Sequence, residues 1–339
     1  MSVTPQASYF AQYKHCFGQI GILPGIHHIT LDPDAKPVVQ PPRRIPIALQ
    51  SKLKEELDHM IKLGIIKKAD EPTDWVSSLV VVQKPNGKLR VCLDPRDLNK
   101  AIKREHYQLP TTEDILAQMA NAKCFTKLDA SNAYWQIQVD DDSSKLLTFN
   151  SPHGRYSFKR LPYGIHSASE ICQRKIASII EGIHGSANVQ DDIIIWADTP
   201  EMLHERTIKV LSAIAKSGMK LNESKCQFNQ NKITFLGHLV TSDGISPDPT
   251  KIDAINKMPM PTNKKELQRF LGMVNYLGKF IPKLSDMTAP LRKLLENDVD
   301  WAFEKQHEIS IELLQKLITT APVLKYFDPE KASKVFSDF

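Results

Sequence analysis

The 339-residue chain contains no Cys-x-x-Cys pair. Its five cysteines, at positions 16, 92, 124, 172 and 226, are odd in number and scattered, which indicates neither a zinc knuckle nor a disulfide framework. Reduced, buried cysteines of an intracellular protein are the expectation. The N-terminus lacks an apolar leader core, and no apolar run approaches the ~18 residues of a membrane span. Repeats and low-complexity segments are absent as well. Charge imbalance is small: a net charge of +5 permits a nucleic-acid partner without demonstrating one. What remains is ordinary globular composition, 41% apolar and 24% charged, in a chain long enough for two or more subdomains. A soluble, intracellular and cytoplasmic protein is expected.

Against that background two adjacent carboxylates stand out, Asp191 and Asp192, followed at once by the apolar run Ile193-Ile194-Ile195-Trp196. Adjacent carboxylates repel, so a cation is the usual reason to hold them together at a strand boundary. Asp129 ends another apolar segment, Cys124-Phe125-Thr126-Lys127-Leu128. Three hard oxygen donors on neighbouring strands suit Mg²⁺, which keeps waters and binds substrate phosphates. Two such ions about 4 Å apart can clamp the attacking and leaving oxygens of an in-line phosphoryl transfer. Asp140-Asp141-Asp142 is a decoy by comparison, read as a solvated turn at a strand end.

Residues 1–46 are rich in proline and read as an extended lead-in. Apolar positions at helical spacing predict a helix over residues 47–64, closed by Gly64. Residues 79–83 and 89–93 read as strands joined by the turn Pro85-Asn86-Gly87-Lys88. Thr111-Thr112-Glu113-Asp114 opens a helix. Residues 125–128, 135–139 and 193–197 read as strands, and 167–183 as a helix. Thr199-Pro200 caps a helix that ends at Gly218. The β-α-β-β-α-β order around the Asp pair fits a split β-α-β sheet with helices on one face. After Gly237 the pattern is mainly helical, with helices from Asn263 and over residues 304–319.

Six landmarks in one order carry a family resemblance. They are Trp75-Val76-Ser77-Ser78 with Asn99-Lys100, Leu128-Asp129-Ala130 with Tyr134-Trp135-Gln136-Ile137, Arg160-Leu161-Pro162-Tyr163-Gly164, the Asp191-Asp192 pair, Phe235-Leu236-Gly237-His238, and the run from Leu267 through Arg269-Phe270-Leu271-Gly272 to Asn275-Tyr276. From about Tyr9 onward the chain resembles the reverse transcriptases of gypsy-type long-terminal-repeat retrotransposons. The resemblance implies an α+β, right-hand polymerase with a split β-α-β (ferredoxin-like) palm, fingers, thumb and connection. Its divisions would be a lead-in (1–46), fingers and palm (47–222), thumb (223–262), a connection-like helical region (263–331) and the truncated start of a ribonuclease H domain (332–339). The activity implied is RNA-directed DNA polymerisation, from a deoxynucleoside triphosphate to a primer 3′-hydroxyl.

Site residues carried by the resemblance are Asp129, Asp191 and Asp192 as ligands of Mg²⁺, with Mn²⁺ as a substitute. Lys225 falls where related polymerases place the lysine that protonates leaving pyrophosphate. Lys84, Arg90, Ala133, Tyr134, Tyr163 and Gln173 would line the nucleotide and template site, with Tyr134 excluding a 2′-hydroxyl. Leu236, Gly237 and His238 would grip the primer terminus. The implied partners are an RNA or DNA template with annealed primer, a deoxynucleoside triphosphate, and the ribonuclease H and integrase of a longer polyprotein. No membrane partner is implied, and virus-like particles and the nucleus join the cytoplasm as settings. Val189 and Gln190 replace the Tyr-led start common in the family's Asp-Asp motif, and Cys172 stands where an aromatic is common. These departures leave one rival, a catalytically inactive nucleic-acid-binding remnant. An RNA-recognition module would need stacking aromatics on its central strands, and carboxylates stand there instead.

Overall fold

The computed structural model describes residues 6–83, 87 and 89–326. Lys84, most of the expected turn after it, and the start of a ribonuclease H domain at 332–339 lie outside the described residues. Two compact units divide the chain. The first comprises Met1–Thr111, Thr126–Ile195 and His204–Phe228; the second comprises Thr112–Phe125, Trp196–Leu203 and Asn229–Phe339.

A four-stranded sheet, most of it in the first unit, has its strands in the order Ser186–Val189, Asp192–Ala197, Cys124–Asp129, Gln227–Gln230. In chain order the elements run strand, helix Ala168–Ile180, two-stranded hairpin, helix Pro200–Ser217, strand. The first strand in sequence therefore lies between the third and the fourth, which is the split β-α-β arrangement. Ile193, Ile194 and Ile195 are all fully buried, so both faces of their strand are covered, as in a sheet sandwiched between layers. The helix at Pro200–Ser217 starts and stops where its punctuation says. The Thr199 hydroxyl accepts from the Met202 amide at 3.3 Å, and Gly218 takes φ 77° after the last turn.

The hairpin Ser78–Gln83 with Leu89–Asp94 is antiparallel, with Val82 opposite Arg90. A second sheet orders Ile66–Lys68, Gly154–Phe158 and Thr148–Ser151. Helix Ile47–Lys62 buries Leu53, Leu57 and Met60 on one stripe and stops before Gly64 at φ 67°.

Three sequence expectations are corrected in the first unit. Residues 135–139 are not a strand: Ala133–Gln136 is a 3₁₀ helix, entered through Asn132 in the left-handed region at φ 47°. The aspartates at 140–142 are not a solvated turn. Asp140 caps helix Asp141–Leu146 by accepting from the Ser143 amide at 2.8 Å, and its other two acids sit in the first turn where the helix dipole favours them. The lead-in is not merely extended. Tyr9 stacks on Phe228 with centroids 4.8 Å apart and bonds His204 Nδ1 at 2.6 Å, and Phe17 forms a parallel bridge with Leu221.

In the second unit a three-stranded antiparallel meander, Lys232–Phe235, His238–Thr241 and Gly244–Pro247, occupies a stretch whose pattern beyond Gly237 was expected to be mainly helical. Helices Pro249–Asn256, Lys264–Tyr276, Leu284–Lys293 and Lys305–Thr319 follow. Asn263 caps the second of these, accepting from the Glu266 amide at 3.0 Å. Its buried Leu267, Phe270, Leu271 and Val274 recur at i, i+3, i+4 and i+7, each contributing about 1.5–3 kcal/mol of burial.

Candidate functional site

Asp129 is the last residue of its strand and is 5% exposed. Its carbonyl accepts from the Asn222 amide at 2.8 Å, and the next amide, Ala130, donates to the Asp191 carbonyl at 2.8 Å. Asp191 lies in the two-residue turn between Ser186–Val189 and Asp192–Ala197. Gln190 takes φ 53° there, a conformation costly for most side chains. The turn is held from below by Gln173, 3% exposed, whose Oε1 accepts from the Gln190 amide at 2.6 Å and whose Nε2 donates to the Asn188 carbonyl at 2.9 Å. Gln173 thus touches the Asp-Asp hairpin itself. Val189 faces Asp192 across the register, and Cys172 is buried with its thiol pushed up to about 12 by desolvation.

Burial raises the carboxyl pKa values of both Asp129 and Asp191. For Asp129 the Lys225 ammonium opposes that shift, while Asp191 and Asp192 add to it; for Asp191, Asp192 adds and the two lysines Lys225 and Lys127 oppose. The lysines sit close. Lys225 Nζ lies 2.9 Å from Asp129 Oδ2, and Lys127 Nζ lies 3.2 Å from Asp192 Oδ1. Burial alone would lower the Lys225 pKa, but the carboxylates outweigh it and hold it raised. Among the described residues no group of three or more acidic, histidine or cysteine side chains is gathered into a metal-ligating set. Two of the three carboxylates face lysines instead, Asp129 toward Lys225 and Asp192 toward Lys127. The donor chemistry nevertheless fits a hard divalent cation, because Asp129 and Asp191 line one cleft and each is disfavoured as an anion by burial and by a neighbouring carboxylate.

That cleft has a volume of 1410 Å³ and is lined by Asp129, Asp191, Lys225, Arg90, Trp135 and Tyr163 among others. Arg90 is exposed on the hairpin, with its guanidinium 5.5 Å from the Tyr163 ring centroid. Tyr163 packs against Tyr134 at 5.0 Å and edge-on against Trp135 at 5.7 Å. Tyr134 is half-buried and its hydroxyl lies 3.2 Å from Ser169 Oγ. Ala133 is buried at the start of the 3₁₀ turn. Arg96, just after the hairpin, pairs with Asp94 at 3.2 Å.

In the second unit, Leu236 and Gly237 both lie in the left-handed region, at φ 47° and 73°. The Leu236 carbonyl accepts from Tyr276 Oη at 2.9 Å, and His238 Nδ1 sits 2.7 Å from the same oxygen. His238 is buried between the Tyr276 and Phe280 rings, and burial lowers its pKa.

Four residues near these groups carry no role assigned from the sequence: Lys127, Trp135, Gln136 and Tyr276. Lys127 had a signal, being two residues before Asp129 and so on the same strand face. The others become visible only through contacts distant in sequence.

Residues 82–240 match the family model "Reverse transcriptase (RNA-dependent DNA polymerase)". The Transposon Tf2-3 and Tf2-7 polyproteins of Schizosaccharomyces pombe (strain 972 / ATCC 24843) are each 34% identical over 290 residues, which is 85% of this chain. The chain spans 22% of the length of those relatives. A foamy viral protease-reverse transcriptase solved in complex with double-stranded DNA superposes with a TM-score of 0.89, at 23% identity, over 96% of this chain and 58% of that one. The same viral protein solved with an RNA/DNA hybrid gives 0.88 at 23% identity, over 96% and 44%. The chain carries a reverse transcriptase domain of the gypsy-type long-terminal-repeat retrotransposon kind, on a right-hand polymerase fold.

Proposed function

We propose that this chain is an active RNA-directed DNA polymerase that extends a primer 3′-hydroxyl with deoxynucleotides on an RNA or DNA template. The observation that carries the reading is one cleft lined by Asp129, Asp191, Lys225, Arg90 and Tyr163. Asp129, Asp191 and Asp192 hold Mg²⁺, or Mn²⁺ in its place. The ions supply charge neutralisation at the attacking and leaving oxygens when bound. The protein's residues do the rest. Arg90 and Lys84, the latter outside the described residues, hold the triphosphate as cations. Lys225, kept protonated by the acids beside it, gives its proton to the leaving pyrophosphate oxygen. Tyr134, backed by Ala133 and Tyr163, forms the wall that a ribose 2′-hydroxyl would strike. Gln173 fixes the turn that carries Asp191. Leu236, Gly237 and His238 bind the primer end through a turn whose left-handed backbone favours glycine at 237.

Residues 47–222 supply fingers and palm, 223–262 the thumb, and 263–331 a connection. The working protein is one part of a polyprotein that also carries ribonuclease H and integrase, acting in the cytoplasm within a particle. Template contacts are mostly to backbone and shape, since a polymerase must accept any sequence.

The test pairs wild type with Asp191→Asn in primer extension and in a salt titration of binding to primed RNA. Wild type should extend with Mg²⁺, and Asp191→Asn should not, while both bind primed RNA with affinity that weakens as salt rises. Binding by wild type without extension across Mg²⁺ and Mn²⁺ concentrations would instead make the chain an inactive nucleic-acid-binding remnant.

A further inference from the structure

The loop from Asp129 to Gln136 has an unusual anchor. Gln136 is 0% exposed, and its amide faces three backbone groups rather than side chains. Its Nε2 donates to the Ser131 carbonyl at 2.7 Å and to the Lys220 carbonyl at 2.8 Å, while its Oε1 accepts from the Lys220 amide at 2.7 Å. Its own carbonyl accepts from the Leu23 amide at 2.8 Å. Three chain segments more than 80 residues apart therefore meet at one residue, 129–136 and 218–222 through its side-chain amide and 16–23 through its carbonyl.

The segments are also sewn directly to each other. The Leu221 amide donates to the Cys16 carbonyl at 2.7 Å, and Gly18 returns a bond to the Leu221 carbonyl at 3.2 Å. Ser131 Oγ donates to the Gln19 carbonyl at 2.8 Å, and the Ile22 amide to the Gly218 carbonyl at 3.2 Å. Arg160, buried, donates from one nitrogen to the Gly21 carbonyl at 3.0 Å and the Trp135 carbonyl at 3.2 Å. The third segment ends on the acid itself, through the Asn222 amide and the Asp129 carbonyl at 2.8 Å. A Cβ at Gly21 would collide with the Gly218 carbonyl and Gln136 Oε1, so the packing tolerates only glycine there.

A buried amide offers no packing advantage over an apolar side chain of its size, but a fully satisfied polar network fixes one geometry. The geometry fixed here is that of a loop whose two ends carry Asp129 and Tyr134. Five residues of plain strand would place those side chains on opposite faces. The left-handed Asn132 and the 3₁₀ turn after it reset that relation, and Gln136 holds the turn in place.

We infer that Gln136 is the positioning residue of the polymerase site, and that residues 16–23 are a working part of that site. The inference rests on the reading of Asp129 and Tyr134 as metal ligand and sugar discriminator. The 16–23 segment closes the loop's hydrogen bonding from outside, so the site is complete only with this segment in place.

The experiment uses the full chain with Gln136→Met, Gln136→Glu and Gly21→Ala. Two readouts are taken: amide hydrogen exchange by segment, and single-nucleotide incorporation of deoxy- and ribonucleotides on a primed template. Exchange should accelerate at least tenfold in segments 16–23, 129–137 and 218–222 in Gln136→Met and Gly21→Ala, and stay at the wild-type rate in strand Asp192–Ala197. The maximal incorporation rate should fall about 10- to 100-fold, as expected for sub-ångström misplacement of reacting groups, with binding to primed template within twofold of wild type. Preference for deoxynucleotides should fall alongside. Gln136→Glu keeps the acceptor for the Lys220 amide but turns a buried carboxylate oxygen toward the Ser131 and Lys220 carbonyls, so it should be at least as severe as Met in both readouts. Wild-type exchange in all three segments would overturn the proposal, as would a uniform acceleration that includes the sheet, which marks a mere folding defect. Should wild type itself not polymerise, the functional reading fails while the exchange readout still tests the anchor.

Discussion

Gly237→Ala should destabilise the second unit by about 2–3 kcal/mol, and most of the excess over a simple backbone effect should vanish when Tyr276 is also changed to Phe. Gly237 sits at φ 73°, where an alanine costs roughly 1–2 kcal/mol. An added Cβ would overlap the Tyr276 hydroxyl and press its ring. The hydroxyl must then leave the Leu236 carbonyl, to which it donates at 2.9 Å. Tyr276 is half-exposed, so that bond contributes about 0.5–1 kcal/mol. The Leu236 oxygen keeps its contact with His238 Nδ1 at 2.7 Å, which limits the loss. Tyr276→Phe alone should cost about 0.5–1 kcal/mol. In that background Gly237→Ala should cost the conformational part, about 1–2 kcal/mol, with a small remaining press on the ring, giving a coupling near 1 kcal/mol. Amide exchange in strand His238–Thr241 reads the local stability of all four proteins. Additive costs, with a coupling below about 0.3 kcal/mol, would refute the contact as the cause.

Tyr134→Ala should raise ribonucleotide incorporation far more than it lowers deoxynucleotide incorporation, because an aromatic wall rejects by clash; competition between the two triphosphates on one primed template measures it, and equal effects on both would make Tyr134 a packing residue. Burial holds His27, His166 and His238 below the ordinary imidazole value of 6.5. The unfolded chain therefore takes up protons first as pH falls. Stability should be level above the ordinary value and decline as pH drops through 6.5 and below, with His238→Gln flattening part of that decline. Urea midpoints between about pH 5 and 7.5 check this, and a midpoint that rises on acidification would contradict it.

The elements with local punctuation were legible in the sequence. Thr199, Pro200 and Gly218 bracket the helix Pro200–Ser217, and Asn263 begins Lys264–Tyr276, because caps and proline act on their own turn. The strands that end in Asp129 and begin at Asp192 were equally plain from their apolar runs. What sequence misread depends on distant partners. Trp135-Gln136-Ile137-Gln138-Val139 alternates like a strand, yet its first two residues close a 3₁₀ turn anchored by bonds from Gln136 to Ser131 and Lys220, and only Gln138 and Val139 make isolated β-bridges. The lead-in looked featureless because its partners, His204, Leu221 and Phe228, lie about 200 residues on. The meander after Gly237 has strands of four residues each, too short for a period to show. For the site, the acids and Lys225 are legible as separate roles, but the pairing of Asp129 with Lys225 and of Asp192 with Lys127 depends on contacts distant in sequence.

The central claim is templated DNA synthesis, and single-nucleotide incorporation on four RNA templates that differ only in the first unpaired base tests it most directly. With Mg²⁺ present, the account predicts that each template directs addition of the complementary deoxynucleotide, one residue per primer, with one pyrophosphate released per addition. Primer that remains unextended on all four templates, or extension indifferent to the templating base, would contradict it.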